Sequence, residues 1–210
     1  MGIGVLVLGH SGSGKSASMR NCTADRFGII NVQGKPLPFK TNMRTLNTDD
    51  YAKIFSALRD DSKPSIIIDD SQYLMSHEYM YRAKETGYQK FTDIGTHFFQ
   101  LLELIKALPN DKIVYLMHHI DRDEFGNEKA KSVGKMVDQY IVIEGCFVIV
   151  LKAVASNKGY CFRTRTTGQD SVKTPMGMFE AEEIDNDIVM VDDTIREYYG
   201  IQLKNKKGDK

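Results

Sequence analysis

Short apolar runs alternate with longer stretches of helical spacing along this chain. The runs are GVLVL (4–8), FGIINV (27–32), SIIID (65–69), KIVYLM (112–117) and FVIVLKAVA (147–155). Each is rich in Val and Ile, the pattern of a strand buried on both faces. Between the runs, helices are predicted over 15–23, over DDYAKIFSALRD (49–60), over SQYLMSHEYMYRAKE (71–85) and over FTDIGTHFFQLLELIKAL (91–108). Asn47 and Thr48 are the capping types ahead of the second. In the fourth, Phe98, Leu101, Leu102 and Ile105 share one face, and Pro109 ends it. Strand–helix–strand alternation predicts an α/β fold, with a mainly parallel sheet between two layers of helices.

The last third changes pattern. FVIVLKAV, SNKG and YCFRTRT read as a β-hairpin, two strand runs around a turn with Gly. TTGQDSVKTPMGMFEAEEIDND (166–187) has no period and is either an ordered surface excursion or a flexible tail. VDDTIREYYG reads as a short helix, with Asp192 as its cap and Gly200 as its stop. No repeat or linker divides the chain, so residues 1–200 are expected to form a single domain and 201–210 a basic flexible tail.

The first apolar run ends in GHSGSGKS, residues 9–16. Gly9, Gly14, Lys15 and Ser16 fit G-x-x-x-x-G-K-[ST] at every fixed position. Glycines let successive N–H groups turn toward a phosphate with no Cβ in the way. A helix starting behind the loop adds its N-terminal N–H groups. The spacing assigns Gly9, His10, Ser11, Gly12, Ser13, Gly14, Lys15, Ser16 and Ala17 to a nucleoside phosphate, Lys15 to its β and γ phosphates and Ser16 to Mg²⁺. The alternative is a chance Gly/Ser loop between strand and helix.

SIIIDD supplies the expected partner. A buried strand ending in an acid places Asp69 beside the phosphates, where it can hold Mg²⁺. Asp70 follows and is the candidate to activate water; a solvated acidic turn is the alternative. His118 and His119 end KIVYLM, where one of them could sense the terminal phosphate or simply pack with its nitrogens satisfied. DRDEFGNE (121–128) mimics the start of a calcium loop, but Phe125 sits where a ligand should be and Glu128 comes too early, so a polar turn is expected. Arg163 and Arg165 share a face of the hairpin. Together with Lys173 they are candidates to reach a neighbouring subunit's phosphate or a DNA backbone, or else form a solvated edge. Tyr79, Tyr81, Tyr88 and Phe91, interleaved with Arg82, Lys84 and Lys90, either stack bases or pack on the sheet.

Composition narrows the field only modestly. Twenty-eight basic and 28 acidic residues balance in a chain of 210, which weakens the case for tight electrostatic DNA binding by one copy. Cys22, Cys146 and Cys161 form no CxxC pair and read as free thiols, the latter two packing on adjacent strands. No apolar run is long enough to span a membrane, and MGIGVLVLG runs straight into the loop rather than reading as a signal peptide.

GHSGSGKS, GIINVQGKPLPF, SIIIDDSQYLM, AKETGYQKFTDIG, KIVYLMHHIDRDEFGNEKAKSVGKMVDQ and TPMGMFEAEEIDND together resemble a family of small phage ATPases, the AAA-type or RecA-like P-loop proteins. The resemblance runs from residue 3 to about 200. It implies a P-loop NTPase three-layer sandwich with a RecA-like or AAA-type sheet and a place among phage replication and recombination genes, in the host bacterial cytoplasm. It carries over residues Gly9 to Ser16 and the Mg²⁺ acid Asp69. The sequence departs from RecA-type recombinases at Gln33, near the place of their catalytic Glu; a Gln is no base, so Asp70 takes the role or hydrolysis is slow.

Three functions follow as expectations. The first is an ATPase that assembles as a homo-oligomer on single-stranded DNA, with basic residues donated between subunits. The second is an ATP-switched, helicase-loader-like adaptor that binds phage or host replication proteins. The third, a small-molecule kinase, is disfavoured because only Arg122, Arg163 and Arg165 offer a lid. No guanine-specific NKxD stands in place, which favours ATP over GTP.

Overall fold

The computed structural model describes residues 1–134, 137, 138 and 141–203. Lys135, Met136, Gln139 and Tyr140, within a stretch quoted for the resemblance, and the basic stretch 204–210 lie outside the described residues. Nine strands form among the latter: β1 (Ile3–Gly9), β2 (Phe27–Asn31), β3 (Thr45–Asn47), β4 (Ser65–Asp69), β5 (Ile113–Arg122), β6 (Glu128–Ala130), β7 (Ile149–Ser156), β8 (Gly159–Arg163) and β9 (Glu183–Asp185). They order as β3-β2-β4-β5-β1-β7-β8-β9, with β6 paired to β5. The pairings along β3-β2-β4-β5-β1-β7 are parallel, β6 pairs antiparallel with β5, and β8 and β9 add antiparallel strands at one edge.

The alternation of side chains across each strand explains the layers. Leu6, Leu8, Ile66, Ile68, Val114, Leu116 and Val150 pack on one face with α1 (Tyr51–Arg59), α2 (Tyr73–Tyr81) and α3 (Gln89–Ala107). Val5, Val7, Ile67, Tyr115, Met117 and Leu151 pack on the other with α4 (Ile188–Tyr199). Helices on both faces of a mostly parallel sheet fit a three-layer α/β arrangement. In α4, Ile188, Val191 and Ile195 are fully buried, each contributing about 1.5–3 kcal/mol by leaving water.

Several expectations change. The segment after the loop is a short 3-10 turn, Ser16–Met19, rather than a helix over 15–23. Its polar residues compete for the backbone: Ser18 Oγ donates to Lys15 O at 2.5 Å, and the chain turns again at Thr23, whose carbonyl accepts from Phe27 N. Asp50, not Asn47 or Thr48, caps α1 by accepting from Ala52 N at 2.8 Å. Cys146 lies in a 3-10 turn, Ile143–Cys146, so it does not share adjacent strands with Cys161. The stretch 166–187 is ordered, bridging Lys173 to Val150 and forming β9.

Asp192 is not a cap. Asp187 caps α4 by accepting from Val189 N at 2.9 Å, and Gly200 ends it in the left-handed region, φ 65°. Asp192 lies one turn inside, fully buried. It accepts from Arg26 Nε (2.9 Å), Arg196 Nε (2.7 Å), Ser65 Oγ (2.6 Å) and Tyr115 Oη (2.9 Å). Arg196 also donates to the carbonyls of Pro64 and Asp111. This network joins α4 to the amino-terminal ends of β4 and β5.

Candidate functional site

The opposite, carboxyl-terminal ends of β1, β4 and β5 carry the residues singled out by motif. Such strand ends are where ligands bind in open α/β sheets. β5 lies between β1 and β4, pairing Gly9 with His119 and Leu116 with Ile68. The loop after β1, the acids after β4 and the histidines of β5 therefore converge.

In the loop, Gly12 and Gly14 have φ of +78° and +94°, values that L side chains rarely adopt. A Cβ on Gly9 would fall 2.3 Å from Ser13 Oγ. A Cβ on Gly14 would fall 2.6 Å from the ring of Tyr160, which the β7–β8 hairpin presses against the loop. Ser13 N donates to His10 O and Ser18 N to Gly14 O. The N–H groups of Ser11, Gly12, Gly14 and Lys15 have no hydrogen-bond partner among the described residues, and the buried Ser13 Oγ has none either. A run of N–H groups left open in this way suits an anion.

Lys15 folds back across the loop. Its Nζ donates to Gly9 O at 2.7 Å and His10 O at 2.9 Å. Burial lowers its pKa to about 8, against the opposing pull of Asp70 and Asp69, so it remains a cation at neutral pH. Ser16 Oγ lies 3.0 and 2.9 Å from the two oxygens of Asp69. Burial and the charge of Asp70 push Asp69 up to about 6, despite the Ser16 hydrogen bond and Lys15.

Asp70 has a φ of 59°, the one positive value among the described non-glycine residues. Strain of this kind is worth about 1–3 kcal/mol and concentrates at functional positions. The turn aims its carboxylate at Lys35 Nζ, 2.9 Å away, and at His119 Nε2, 3.1 Å away. Burial alone would raise the Asp70 carboxyl; the hydrogen bonds and charges of His119 and Lys35 pull it down to about 2.

The two histidines part company. His118 is fully buried, with Nε2 2.8 Å from Lys131 O and Nδ1 2.9 Å from Ser71 Oγ. A carbonyl only accepts, so the ring proton sits on Nε2. Burial drives its pKa to about 4 and keeps it neutral. His118 is thus a satisfied structural residue, and His119 is the one that joins the site. Gln72 begins α2 and is buried, with no side-chain capping bond.

Ser16 and Asp69 suit Mg²⁺. No cluster of three or more His, Cys, Asp or Glu among the described residues could hold a metal alone. Mg²⁺ does not need one, because it keeps several waters and takes one or two carboxylates plus phosphate oxygens.

Other motif residues stay elsewhere. Arg163 pairs with Glu183 on β9 at 3.2 Å, and Arg165 donates to Glu180 O at 3.1 Å beside Glu182. Within one chain they are engaged along the sheet edge, away from the loop's polar contacts. The 121–128 turn is closed by Asp123 accepting from Phe125 N and Asn127 N. Tyr79 packs on Phe91 with centroids 5.7 Å apart, whereas Tyr81 and Tyr88 are exposed.

Sequence reading missed three contributors. Glu128, at the foot of that turn, contacts His10 Nε2 at 3.3 Å and pairs with Lys152 and Arg122, bracing the loop from outside. Tyr160 and Lys35 are the others. Glu128 and Lys35 fall in stretches quoted above, but nothing along the chain gives any of the three a place at the loop; only the fold brings them there.

No helix among the described residues is long and apolar enough to cross a membrane. Comparison with protein-family models and with curated proteins gives no match for this chain.

Proposed function

We propose that the chain binds ATP with Mg²⁺ on GHSGSGKS and hydrolyses it, as a P-loop NTPase. The observation that carries this reading is the hydrogen bond of Ser16 to both oxygens of Asp69, with Lys15 and a run of unmatched N–H groups beside it. In hydrolysis, water attacks the γ-phosphorus, the bond to the β–γ bridging oxygen breaks, and ADP, phosphate and a proton leave. The free loop N–H groups and Lys15 take up phosphate charge. Ser16 and Asp69 would hold Mg²⁺, which draws charge from the β and γ oxygens. Asp70, with His119 against it, accepts a hydrogen bond from the attacking water and orients it. A carboxyl held near 2 is a weak proton acceptor, so the proton ends in solvent or on phosphate.

That low basicity favours a second reading, an ATP-switched adaptor with slow hydrolysis. Assembly as a homo-oligomer on single-stranded DNA in phage replication or recombination rests on the family resemblance. The test is ATP hydrolysis with and without single-stranded DNA, using Lys15→Ala as the blank. DNA stimulation that Lys15→Ala abolishes supports the DNA-linked ATPase. A slow rate indifferent to DNA supports the adaptor. No Mg²⁺-dependent ATP binding or turnover by the wild type would overturn both.

A further inference from the structure

Lys35 is fixed at its root and exposed toward its tip. Asn31, the last residue of β2, pairs in register with Asp69. Its buried amide accepts from Gly34 N at 2.9 Å and donates to Lys35 O at 2.6 Å. Gly34 adopts φ 64°, and Pro36 stiffens the chain beyond. The turn therefore launches Lys35 from a set point beside the acid end of β4. The side chain crosses the Tyr73 ring, with Nζ 5.8 Å from its centroid, and ends 2.9 Å from Asp70 Oδ2. Its side chain is 61% exposed, so the charge faces the opening rather than the core.

Charge balance gives this placement its meaning. Asp69 and Asp70 put two carboxylates where a triphosphate must come. Lys15 offsets one of them and lies under the loop, on the β-phosphate side. With Asp69 turned to Ser16 and the Mg²⁺ position, Asp70 is the carboxylate left toward the terminal phosphate, and Lys35 is the cation set against it. Lys35 is close enough to be felt by both Lys15 and Asp69, and it follows β2, which lies on the far side of β4 from β1 and the loop. Arg163 and Arg165 are committed to β9 and its preceding segment.

We infer that Lys35 is a catalytic cation of this site, contacting the terminal phosphate from within the same chain while holding Asp70 in place. The inference rests on the phosphate-loop reading above. It makes the catalytic set complete in one chain, with no residue required from a neighbour. As charge accumulates on the γ-phosphate oxygens and the bridging oxygen leaves with ADP, the Lys35 ammonium shifts between Asp70 and those oxygens.

The test measures Mg²⁺-dependent turnover together with ATP and ADP affinity for wild type, Lys35→Ala, Lys35→Arg and Lys15→Ala. Lys35→Ala is expected to lower kcat by about 10²-fold or more, weaken ATP several-fold and leave ADP affinity unchanged, because ADP lacks the phosphate that Lys35 meets. Lys35→Arg, which keeps the charge, should recover part of kcat. Turnover per chain should stay constant on dilution. Unchanged kcat and an unchanged ATP-to-ADP affinity ratio in a folded Lys35→Ala would overturn the inference while leaving the loop reading intact. Recovery of Lys35→Ala activity by added Lys15→Ala chains would also overturn it, by showing that the cation comes from a neighbour. A wild type that binds neither nucleotide, or a Lys15→Ala that binds both as well as wild type, would overturn the loop reading and this inference together.

Discussion

The two ends of the sheet each hold a buried acid beside cations, and they differ in completeness. At the amino-terminal end, Asp192 accepts five hydrogen bonds, two from Arg26 and one each from Arg196, Ser65 and Tyr115. At the carboxyl-terminal end, Asp69 is met by Ser16, while loop N–H groups and Ser13 Oγ lack partners among the described residues and Asp70 is twisted to positive φ. A saturated cluster is scaffold, since nothing remains for a ligand to satisfy. An unsaturated, strained cluster has capacity to bind. The difference lies in hydrogen-bond accounting rather than in residue type.

The sharpest break of this comparison is Asp192→Ala. It strands Arg196 and leaves Arg26 with Asp193 alone, and should cost about 3–5 kcal/mol, read by urea unfolding. A loss under 1 kcal/mol would show the amino-terminal cluster to be dispensable. Lys15→Ala is the mirror case: turnover should fall by about 10²–10³-fold with the unfolding midpoint nearly unchanged. A large loss of stability there would place the loop lysine among the scaffold.

His118 tests whether a saturated group at the site end behaves as scaffold. Its folded pKa, about 4, lies below its ordinary 6.5, so the unfolded chain takes up the proton first. Its contribution is complete above about pH 6.5 and is lost as pH falls toward 4, on the order of 3 kcal/mol in all. His118→Asn should flatten that part of the stability profile. Gly14→Ala sets a methyl group against Tyr160 at positive φ and should cost about 1–3 kcal/mol, read by thermal unfolding, with nucleotide affinity falling alongside. The smallest effect is expected from Arg163→Ala and Arg165→Ala. Each should change stability by no more than about 1 kcal/mol and leave turnover unchanged, because exposed edge pairs are weak. A sharp fall in turnover at high protein concentration would restore them as residues donated between subunits.

Much of the carboxyl-terminal end could be read along the chain, because its residues are local. Gly9 to Ser16 fall within one turn, and Asp69 ends a run of isoleucines whose burial is unmistakable. The amino-terminal cluster was hidden for the opposite reason. Arg26, Ser65, Tyr115 and Asp192 are far apart in the sequence and meet only through parallel pairing, so Asp192 resembled a helix cap. Lys35 escaped in the same way: its place depends on the register of Asn31 with Asp69. The helix expected behind the loop failed locally, since Ser18 bonds back to Lys15 and the chain must soon re-enter the sheet at Phe27.

The contact between Tyr160 and Gly14 has an optical consequence. The chain contains no tryptophan. Tyr160→Trp would therefore set a single indole, half in solvent, against the backbone that an anion in the loop would meet. Its emission, excited at wavelengths the remaining tyrosines do not absorb, would record loading and release in real time without a labelled nucleotide.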